Sequence, residues 1–291
     1  YVLTENDLVD GKGFYDAVAY GGWNMDMHEN GNMSFLDSEP TTYFSTKYIY
    51  SIPYRCLYSV NIDNLFFGGR AISVSHMVFG STRVMATCAV IGQAVGTAAA
   101  LCNEKGISPR ELTKHIEELQ RTLVLDDCYI PNYKLLLPND LARTAVISAS
   151  SEKYPVENLV NGELRNYGRQ INCWQSDGIA REGEWIRLNW SNPQTIKSLI
   201  LRFDSDLSSE LTITLSDKIR AKQKPFPNTL VKNYSVYFYN DKKLVKKIEK
   251  TNNFLRLNRL ETEVIADEIE IRFLETYGAD YVSVYSVNIL S

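Results

Sequence analysis

The residues most able to do chemistry lie close together between positions 64 and 96. A short apolar run, Asn64–Phe67, leads into Gly68-Gly69-Arg70, and a loop with His76 follows. Gly80-Ser81 then precedes a long apolar run that begins near Arg83. Glycines after a strand let backbone approach a ligand closely. The free amides at a helix start attract anions. The pattern predicts an anion or dipole site at a helix N-terminus, with Arg83 paired to a carboxylate or facing an anionic ligand.

The elements that must position these residues follow from periodicity. Asn64–Phe67 reads as a short buried strand. A helix is predicted from about Arg83 to Glu104, capped by Ser81 or Thr82. Its alanines and glycines would let neighbouring backbones pack closely, so we expect it to be buried on most sides. A second, amphipathic helix is predicted over 109–122.

Composition excludes several classes of protein. The chain has 291 residues, 44% apolar and 23% charged, with a net charge of −4. This is the composition of about two globular domains and disfavours a strongly basic nucleic-acid binder, so no nucleic-acid partner is predicted. The five cysteines form no CxxC pair and the three histidines no metal motif. We therefore expect no metal and mostly buried free thiols.

Membrane and targeting signals are weak. The apolar stretch Val84–Cys102 contains Gln93 and two glycines, which makes it a poor transmembrane span. The sequence starts at Tyr1 and shows no signal peptide. We expect that a leader was removed or that the chain is cut from a longer protein.

Domain organisation changes near residue 140. Pro131 and Pro138 favour an extended linker. After it, short alternating runs predict strands at 184–190, 196–204, 235–239, 243–248, 261–264, 268–273 and 281–289. The prediction is an α+β, multidomain chain: residues 1–135, a linker over 136–142, and an antiparallel β-sandwich or jelly roll over 143–291.

The first part resembles the flavin-closing C-terminal segment of FAD-dependent oxidoreductases of the fumarate reductase/glutathione reductase type, and more narrowly a bacterial family of such oxidoreductases. The resemblance is close over about 50–105 and loose over 1–135. The pieces that carry it are Ile52–Arg55, Asp63–Leu65, Gly68–Arg70, Ser73, Ser75-His76, Gly80-Ser81, Arg83–Met85, Thr87-Cys88, Gly92–Ala94 and Gly96–Ala99, with Asp16–Ala19 and Gly21–His28 upstream.

That family begins with a strand–GxGxxG–helix that holds the FAD pyrophosphate. This chain contains no GxGxxG. The resemblance therefore implies a partial α/β FAD-oxidoreductase domain, incomplete and inactive by itself. Its implied partner is the missing N-terminal dinucleotide-binding part of the same polypeptide.

The resemblance also implies roles for individual residues. The cofactor FAD would be approached by Gly68, Gly69, Arg70 and Ser73 near its ribityl region, and by Gly80, Ser81, Arg83 and Val84 at its isoalloxazine end. Gln93 and Gly96 would pack the helix against the cofactor domain. His76, Asp26 and His28 are the catalytic candidates, as proton donor or orienter. The alternatives are a plain turn at Gly68-Gly69, structural roles for the three catalytic candidates, and an inert thiol at Cys88.

The second part is similar to the discoidin or galactose-binding-like β-sandwich family. The resemblance covers about 143–291 and rests on Asn158–Gly162, Cys173–Ser176, Glu184–Leu188 and the closing strands. Some members bind calcium near the Leu-Val-Asn-Gly turn, but Asn161 stands here where Asp is usual. A carbohydrate ligand would use Trp174, Tyr167 and Arg169. The alternative places Trp174 and Trp185 in the core and makes the domain a spacer or docking module. Such a domain favours an exported location, periplasmic or extracellular.

Three functions remain open from the sequence. The first is a fragment of an oxidoreductase that transfers hydride on an unknown, sugar-derived substrate. The second is a carbohydrate-binding module on a vestigial scaffold, and the third is an interaction protein without catalysis. The lysine-rich stretch Lys218–Lys250 would suit an acidic polysaccharide, but a solvated sheet face is the alternative, because lysines protect edge strands.

Overall fold

The computed structural model describes residues 1–28, 41–46, 49–209 and 214–291. The chain divides into two compact units, Tyr1–Tyr133 (unit 1) and Lys134–Ser291 (unit 2). The segment 136–142, predicted as a linker, lies within unit 2. There Leu137 is buried, and Asp140 accepts hydrogen bonds from the backbone of Ala142 and Ile289. Pro138 therefore lies in a packed segment of unit 2, while Pro131 belongs to unit 1.

Unit 1 combines short strands with helices. Strand β1 (Ala17–Gly21) pairs with β4 (Tyr50–Pro53), and β2 (Met25–His28) pairs with β3 (Thr41–Phe44), both antiparallel. The helices are α1 (Glu5–Val9), α2 (His76–Thr82), α3 (Met85–Lys105) and α4 (Ile116–Leu125). Short 3-10 turns occupy Tyr54–Cys56, Gly69–Ala71 and Glu111–His115.

The helix predicted from about Arg83 to Glu104 is α3 (Met85–Lys105), but the loop predicted to contain His76 forms helix α2 (His76–Thr82). Residues 76–105 form two helices, because Val84 is extended (φ −67°, ψ 145°) and interrupts the helical backbone. The residue that caps α2 is Ser75, whose Oγ accepts the Val78 N–H at 3.3 Å. His76 is therefore the first helical residue of α2, while Ser81 and Thr82 end that helix instead of capping the next.

The predicted buried strand Asn64–Phe67 is also wrong. The segment forms one isolated bridge, between Tyr58 and Phe66. Asn64 and Leu65 are exposed and Phe66 and Phe67 only partly buried, so among the described residues this run is not a buried strand.

Helix α3 is buried on one face only, contrary to the prediction that most sides are covered. The buried residues are Thr87, Ile91, Ala94, Ala98, Leu101 and Cys102. The other face is exposed and consists mainly of small residues: Met85, Ala86, Ala89, Gly92, Gln93, Gly96, Ala99 and Ala100. Both faces are apolar, so composition could not tell the covered face from the open one. Among the described residues, α3 is the one helix long and apolar enough to cross a membrane, a test that core helices also pass.

Unit 2 is an antiparallel sheet of seven strands in the order β6-β11-β7-β10-β8-β9, with β5 also paired to β7. The strands are β5 (Val146–Ala149), β6 (Trp174–Gln175), β7 (Glu184–Phe203), β8 (Val231–Asn240), β9 (Lys243–Lys250), β10 (Leu257–Thr276) and β11 (Ser283–Leu290). A short helix, α5 (Asp217–Arg220), precedes β8. The predicted antiparallel β-sandwich is confirmed.

Two long strands give the sheet its two layers. The first part of β7 pairs with β5 and its last part with β11, while β10 follows it along both parts. In the pairing of β7 with β10, Asn189 lies opposite Glu268 and Gln194 lies opposite Ala266. The four residues 190–193 of β7 therefore face a single residue of β10, Asp267. This bulge bends the strand without ending it. The four strands predicted at 184–190, 196–204, 261–264 and 268–273 are therefore two, and their inward residues share one core.

The cysteines are all free, as expected. Cys56, Cys102 and Cys173 are buried, and Cys88 and Cys128 are partly buried. Burial raises the pKa of the Cys56 thiol to about 12, so that thiol is unreactive at neutral pH. No group of three or more His, Cys, Asp or Glu residues suited to a metal ion occurs in the part of the chain that the structure describes.

Candidate functional site

A carboxylate, a guanidinium and an imidazole meet beside the junction of α2 and α3. Arg83 lies at this junction, and its Nη2 is 3.3 Å from Asp26 Oδ2 on β2. The other oxygen, Asp26 Oδ1, is 3.4 Å from His28 Nε2. On the far side of the ring, His28 Nδ1 is 3.2 Å from Thr41 Oγ1 on β3. Asp26 and His28 are two residues apart in β2, so their side chains lie on the same face of the strand. Asp26 thus lies between His28 and Arg83.

Gly80 allows α2 to pack closely against β2 at this site. A Cβ at position 80 would lie 2.5 Å from the carbonyl oxygen of Asp26 and 3.0 Å from its amide nitrogen. Only glycine therefore lets α2 lie directly on the backbone of β2. The sequence resemblance assigned Gly80 to cofactor contact, whereas the structure places it against Asp26.

A chain of hydroxyl groups fixes the end of α2. Ser81 Oγ donates to the carbonyl oxygen of Trp23 and lies 2.6 Å from the hydroxyl of Tyr50. Since the Ser81 hydroxyl has one hydrogen, Tyr50 must be the donor to Ser81. Burial raises the pKa of Tyr50 to about 12, which keeps it protonated for this role. Sequence reasoning missed Tyr50, because 31 residues separate the two hydroxyls and no motif joins them.

The start of α3 has unused hydrogen-bonding capacity. Within the described ranges of the chain, no side chain caps α3 at Val84. Thr82 is fully buried, and its Oγ1 has no hydrogen-bond partner among the described residues. Uncapped amides at the start of a 21-residue helix carry partial positive charge. This end of α3 can therefore receive an anionic or electron-rich group beside Arg83.

The remaining predicted residues of unit 1 lie in other parts of it. Gly69 has φ +57° and opens the 3-10 turn Gly69–Ala71, on which Arg70 is exposed. Ser73 bonds through its backbone to Leu3 and Cys56. His76 is exposed at the start of α2. Arg83 follows the other end of that helix, about 10 Å away at the usual helical rise. The structure thus brings together Asp26, His28 and Arg83, but not His76.

In unit 2 a cavity of about 220 Å³ lies beside the loop predicted to contact glycans. We call it the loop cavity; it is lined by Arg165, Asn166, Gly168, Asp204, Asp206, Leu207, Ser208 and Tyr285. The loop is held in place by Asn166 Oδ1, which accepts the Asn172 N–H at 2.8 Å. Tyr167 is 41% exposed on this loop, and Arg169 is exposed beside it.

Trp174 is not available to a glycan. It is fully buried, its Nε1–H donates to the Ser151 carbonyl at 3.0 Å, and its ring lies 5.7 Å from that of Phe273. The prediction that Trp174 contacts a glycan is therefore wrong. The alternative prediction, that Trp174 belongs to the core of the β-sandwich, is confirmed. Neighbouring Trp185 is only partly buried and lies under the Arg187 guanidinium, 4.1 Å from it.

Asp204 also lines the loop cavity. Its Oδ1 accepts the Asp206 N–H at 2.9 Å, and Asp206 has φ +49°. Asp206 in turn accepts from the Ser208 hydroxyl at 2.7 Å. Burial raises the pKa of Asp204, although backbone hydrogen bonds and the nearby Arg256 act in the opposite direction. The cavity thus combines carboxylate acceptors with guanidinium and amide donors.

The Asn161 turn is occupied by its own hydrogen bonds. Asn161 Oδ1 accepts the Glu163 N–H at 2.7 Å, and its Nδ2 donates to Asn158 Oδ1 at 3.1 Å. Gly162 has φ +83°, which favours glycine there. The turn is explained by these local bonds.

Residues 1–123 match a family described as FAD dependent oxidoreductase. This match confirms the resemblance of the first part of the chain. Among curated proteins, none matches the chain.

The solved structures similar to this chain include carbohydrate-binding modules. A fucose-binding module of Streptococcus pneumoniae is 15% identical, with a TM-score of 0.39, covering 52% of this chain and 94% of that one. A family 32 module of Clostridium perfringens, solved with galactose, is 16% identical (TM-score 0.37; 52% and 97%). A chitosan-binding module of Paenibacillus sp. is 13% identical (TM-score 0.38; 53% and 100%). These likenesses assign no ligand to this chain.

Proposed function

We propose that unit 1 is the flavin-closing and substrate-facing part of an FAD-dependent oxidoreductase. The observation that carries the proposal is the junction at Arg83, where an uncapped helix start, a buried unpaired hydroxyl and the Asp26–His28 pair come together. The family match over residues 1–123 supports it.

The residues present fit one end of FAD. The amides at the start of α3, Thr82 Oγ1 and Arg83 offer hydrogen-bond donors and positive charge, which suit the electron-rich pyrimidine end of the flavin ring. The glycine-rich fingerprint for the pyrophosphate is not in this sequence, so the chain provides only part of a binding site. When bound, FAD supplies hydride transfer at its ring.

The protein residues would handle the accompanying proton. Thr41 Oγ1 can donate to His28 Nδ1, which leaves the mobile proton on Nε2, beside Asp26. His28 is exposed enough to reach a substrate and would act as the acid or base. Asp26 would orient the imidazole, and Arg83 would hold Asp26 while facing the flavin. His76 lies at the other end of α2 from Arg83, so it would contact a different part of a bound substrate from His28.

The open face of α3 is the surface on which we place the missing dinucleotide-binding part of the same polypeptide. A Cβ at Gly92 or Gly96 would meet no described atom within 4 Å, so unit 1 does not itself need glycine there. Small residues on a helix allow close approach of another backbone, and Gln93 adds a polar contact. This surface explains why an apolar helix leaves half of itself uncovered.

The test uses the natural gene product isolated from its source. Replacing Arg83 by Ala is expected to weaken flavin retention about tenfold or more, because a hydrogen bond to a charged group contributes roughly 1.5–3 kcal/mol. Arg121→Ala, an exposed arginine of α4, is the matched control. Flavin retention by the Arg83 variant equal to that of the control would refute the assignment.

A second candidate function, glycan binding by unit 2, is favoured by the loop cavity. Arg165 and Asn166 offer donors and Asp204 and Asp206 offer acceptors, a combination that suits sugar hydroxyls. Its volume is below the roughly 300–1,000 Å³ typical of pockets for drug-sized molecules, so it suits a single sugar ring. A carbohydrate ligand would also agree with export to the periplasm or the cell exterior, which we propose with it.

Titration calorimetry with galactose, fucose, N-acetylgalactosamine and glucosamine tests this function. Binding is expected for at least one sugar and should fall about tenfold in Asp206→Asn, since a charged acceptor is lost. Asp177→Asn, at an exposed position away from the cavity lining, is the control. If no sugar binds, or if both variants behave alike, the loop cavity is not a glycan site.

A further inference from the structure

A second cavity of about 180 Å³ adjoins the loop cavity and shares Asp206 with it. We call it the aromatic cavity, lined by Asp206, Lys222, Lys224, Phe226 and Asn228 with their neighbours. The backbone N–H of Asp206 donates to Asp204 Oδ1, which holds the backbone at this position. Asp206 therefore belongs to the lining of both cavities.

The aromatic wall of this cavity is firmly built. Phe226 stacks on Tyr277 with ring centroids 4.5 Å apart and an interplanar angle of 26°. Backbone hydrogen bonds join Ala279 to Asn228 and Tyr277 to Leu230, at 3.0 and 3.1 Å. Phe226 nevertheless remains 38% exposed. An aromatic ring that is packed on one side and open to solvent on the other can stack on the C–H face of a sugar with little loss of side-chain conformational entropy.

The two cavities differ in charge. The loop cavity contains two carboxylates and one arginine. The aromatic cavity has Lys222 and Lys224, both exposed, against the single carboxylate of Asp206. Lys224 Nζ donates to Asn228 Oδ1 at 3.0 Å, which holds its ammonium group at the cavity rim. An anionic group is thus favoured in the aromatic cavity and disfavoured in the loop cavity.

We infer that the two cavities are adjacent subsites of one glycan site, and that the sugar unit in the aromatic cavity is acidic, carrying a carboxylate or a sulfate. The inference rests on the second candidate function, glycan binding at the loop cavity. It makes the ligand an acidic oligosaccharide of at least two units. Phe226 provides the stacking surface, and Lys222 and Lys224 provide the charge.

The test compares the full chain and its variants on an immobilised panel of defined glycans. The panel holds neutral monosaccharides, neutral oligosaccharides, and oligosaccharides of equal length that carry one uronic acid, sialic acid or sulfated sugar. Phe226→Ala is compared with Phe254→Ala, another exposed phenylalanine of unit 2. The pair Lys222→Gln and Lys224→Gln is compared with Lys243→Gln and Lys246→Gln on β9.

Wild-type protein is expected to bind acidic oligosaccharides more tightly than neutral ones. Phe226→Ala should weaken oligosaccharide binding about three- to tenfold and leave monosaccharide binding unchanged. The Lys222/Lys224 variant should lose the preference for acidic glycans, while both control variants keep it. The lysine variant also serves as the test if Phe226→Ala does not fold.

Two results would overturn the inference in distinguishable ways. If monosaccharides bind but the Phe226 and Lys222/Lys224 variants match their controls, the second subsite is refuted and the loop cavity stands. If the wild-type chain binds no glycan at all, the glycan-binding function itself fails, and the subsite fails with it.

Discussion

Two glycines on neighbouring helices should respond in opposite ways to the same substitution. Gly80 of α2 lies on the backbone of Asp26, where a Cβ would approach the carbonyl oxygen to 2.5 Å. Gly96 of α3 lies on the open face, where a Cβ would meet no described atom within 4 Å. Gly80→Ala is therefore expected to destabilise unit 1, and Gly96→Ala to stabilise it.

The magnitudes follow from two effects. Alanine is favoured over glycine in a helix interior by about 0.8–1.0 kcal/mol, and this gain applies to both positions. Overpacking a filled site costs roughly 1–3 kcal/mol, and at Gly80 the obstacle is backbone, which cannot rotate away. The net expectation is a loss of about 1–2 kcal/mol for Gly80→Ala and a gain of up to about 1 kcal/mol for Gly96→Ala.

Scanning calorimetry of the full chain measures both effects. The transition of unit 1 is identified as the one lowered by Leu119→Ala, a fully buried residue of α4. Gly92→Ala, which is equally open, should repeat the gain of Gly96→Ala. A loss on substituting Gly96 would show that its face is already covered in this chain, and no loss at Gly80 would show that α2 does not rest on β2.

Three further predictions concern single side chains. Tyr50→Phe should destabilise unit 1 by about 1 kcal/mol, through loss of the hydrogen bond to Ser81; equal stability in calorimetry would refute the hydroxyl chain. Trp174→Ala should destabilise unit 2 by roughly 3–5 kcal/mol, as a core truncation does; an unchanged melting temperature would contradict its core position. Because burial raises the folded-state pKa of Asp204 above its usual 3.8, its contribution to stability is fully present below the usual pKa and is lost as pH rises through the raised one. Asp204→Asn should therefore gain in melting temperature relative to wild type as the pH rises above the usual pKa of 3.8, and a melting-temperature difference that does not change with pH would refute this.

The strands of unit 2 were largely predictable because their alternation is local. The sequence shows directly that Ile269, Ile271 and Phe273, which are fully buried in the core, alternate with charged residues. The charged residue Glu270 is itself buried on the other face, where it pairs with Arg187 and Arg272. The continuity of β7 across residues 190–193 was not predictable, since proline and asparagine read as a turn. There the partner strand β10 holds the backbone in place on both sides of the bulge.

Helices α3 and α4 of unit 1 were predictable from the sequence, whereas the segment that forms α2 was predicted as a loop. The extended backbone at Val84 separates α2 from α3, and the packing of α2 on the backbone of β2 at Gly80 holds α2 in place. Which face of α3 is covered was equally hidden, because alanine and glycine occupy both faces. Tertiary contacts decided both features.

The candidate site was reached partly from the sequence. The family resemblance named Asp26, His28 and Arg83, and the structure brings them within contact distance; their catalytic roles stay predictions. Tyr50 and the pair of cavities at Asp206 could not be found in the same way. They depend on residues far apart in the chain, 31 positions for Tyr50 and Ser81, and on backbone geometry that only the fold creates.

The most direct test of the central claim is the visible absorbance of the natural protein, isolated intact from its source with an antibody raised against this chain. We expect a yellow protein whose flavin spectrum persists through purification and whose flavin retention weakens about tenfold or more when Arg83 is replaced by Ala. A colourless protein that takes up no added FAD would contradict the assignment of unit 1 as part of a flavin site.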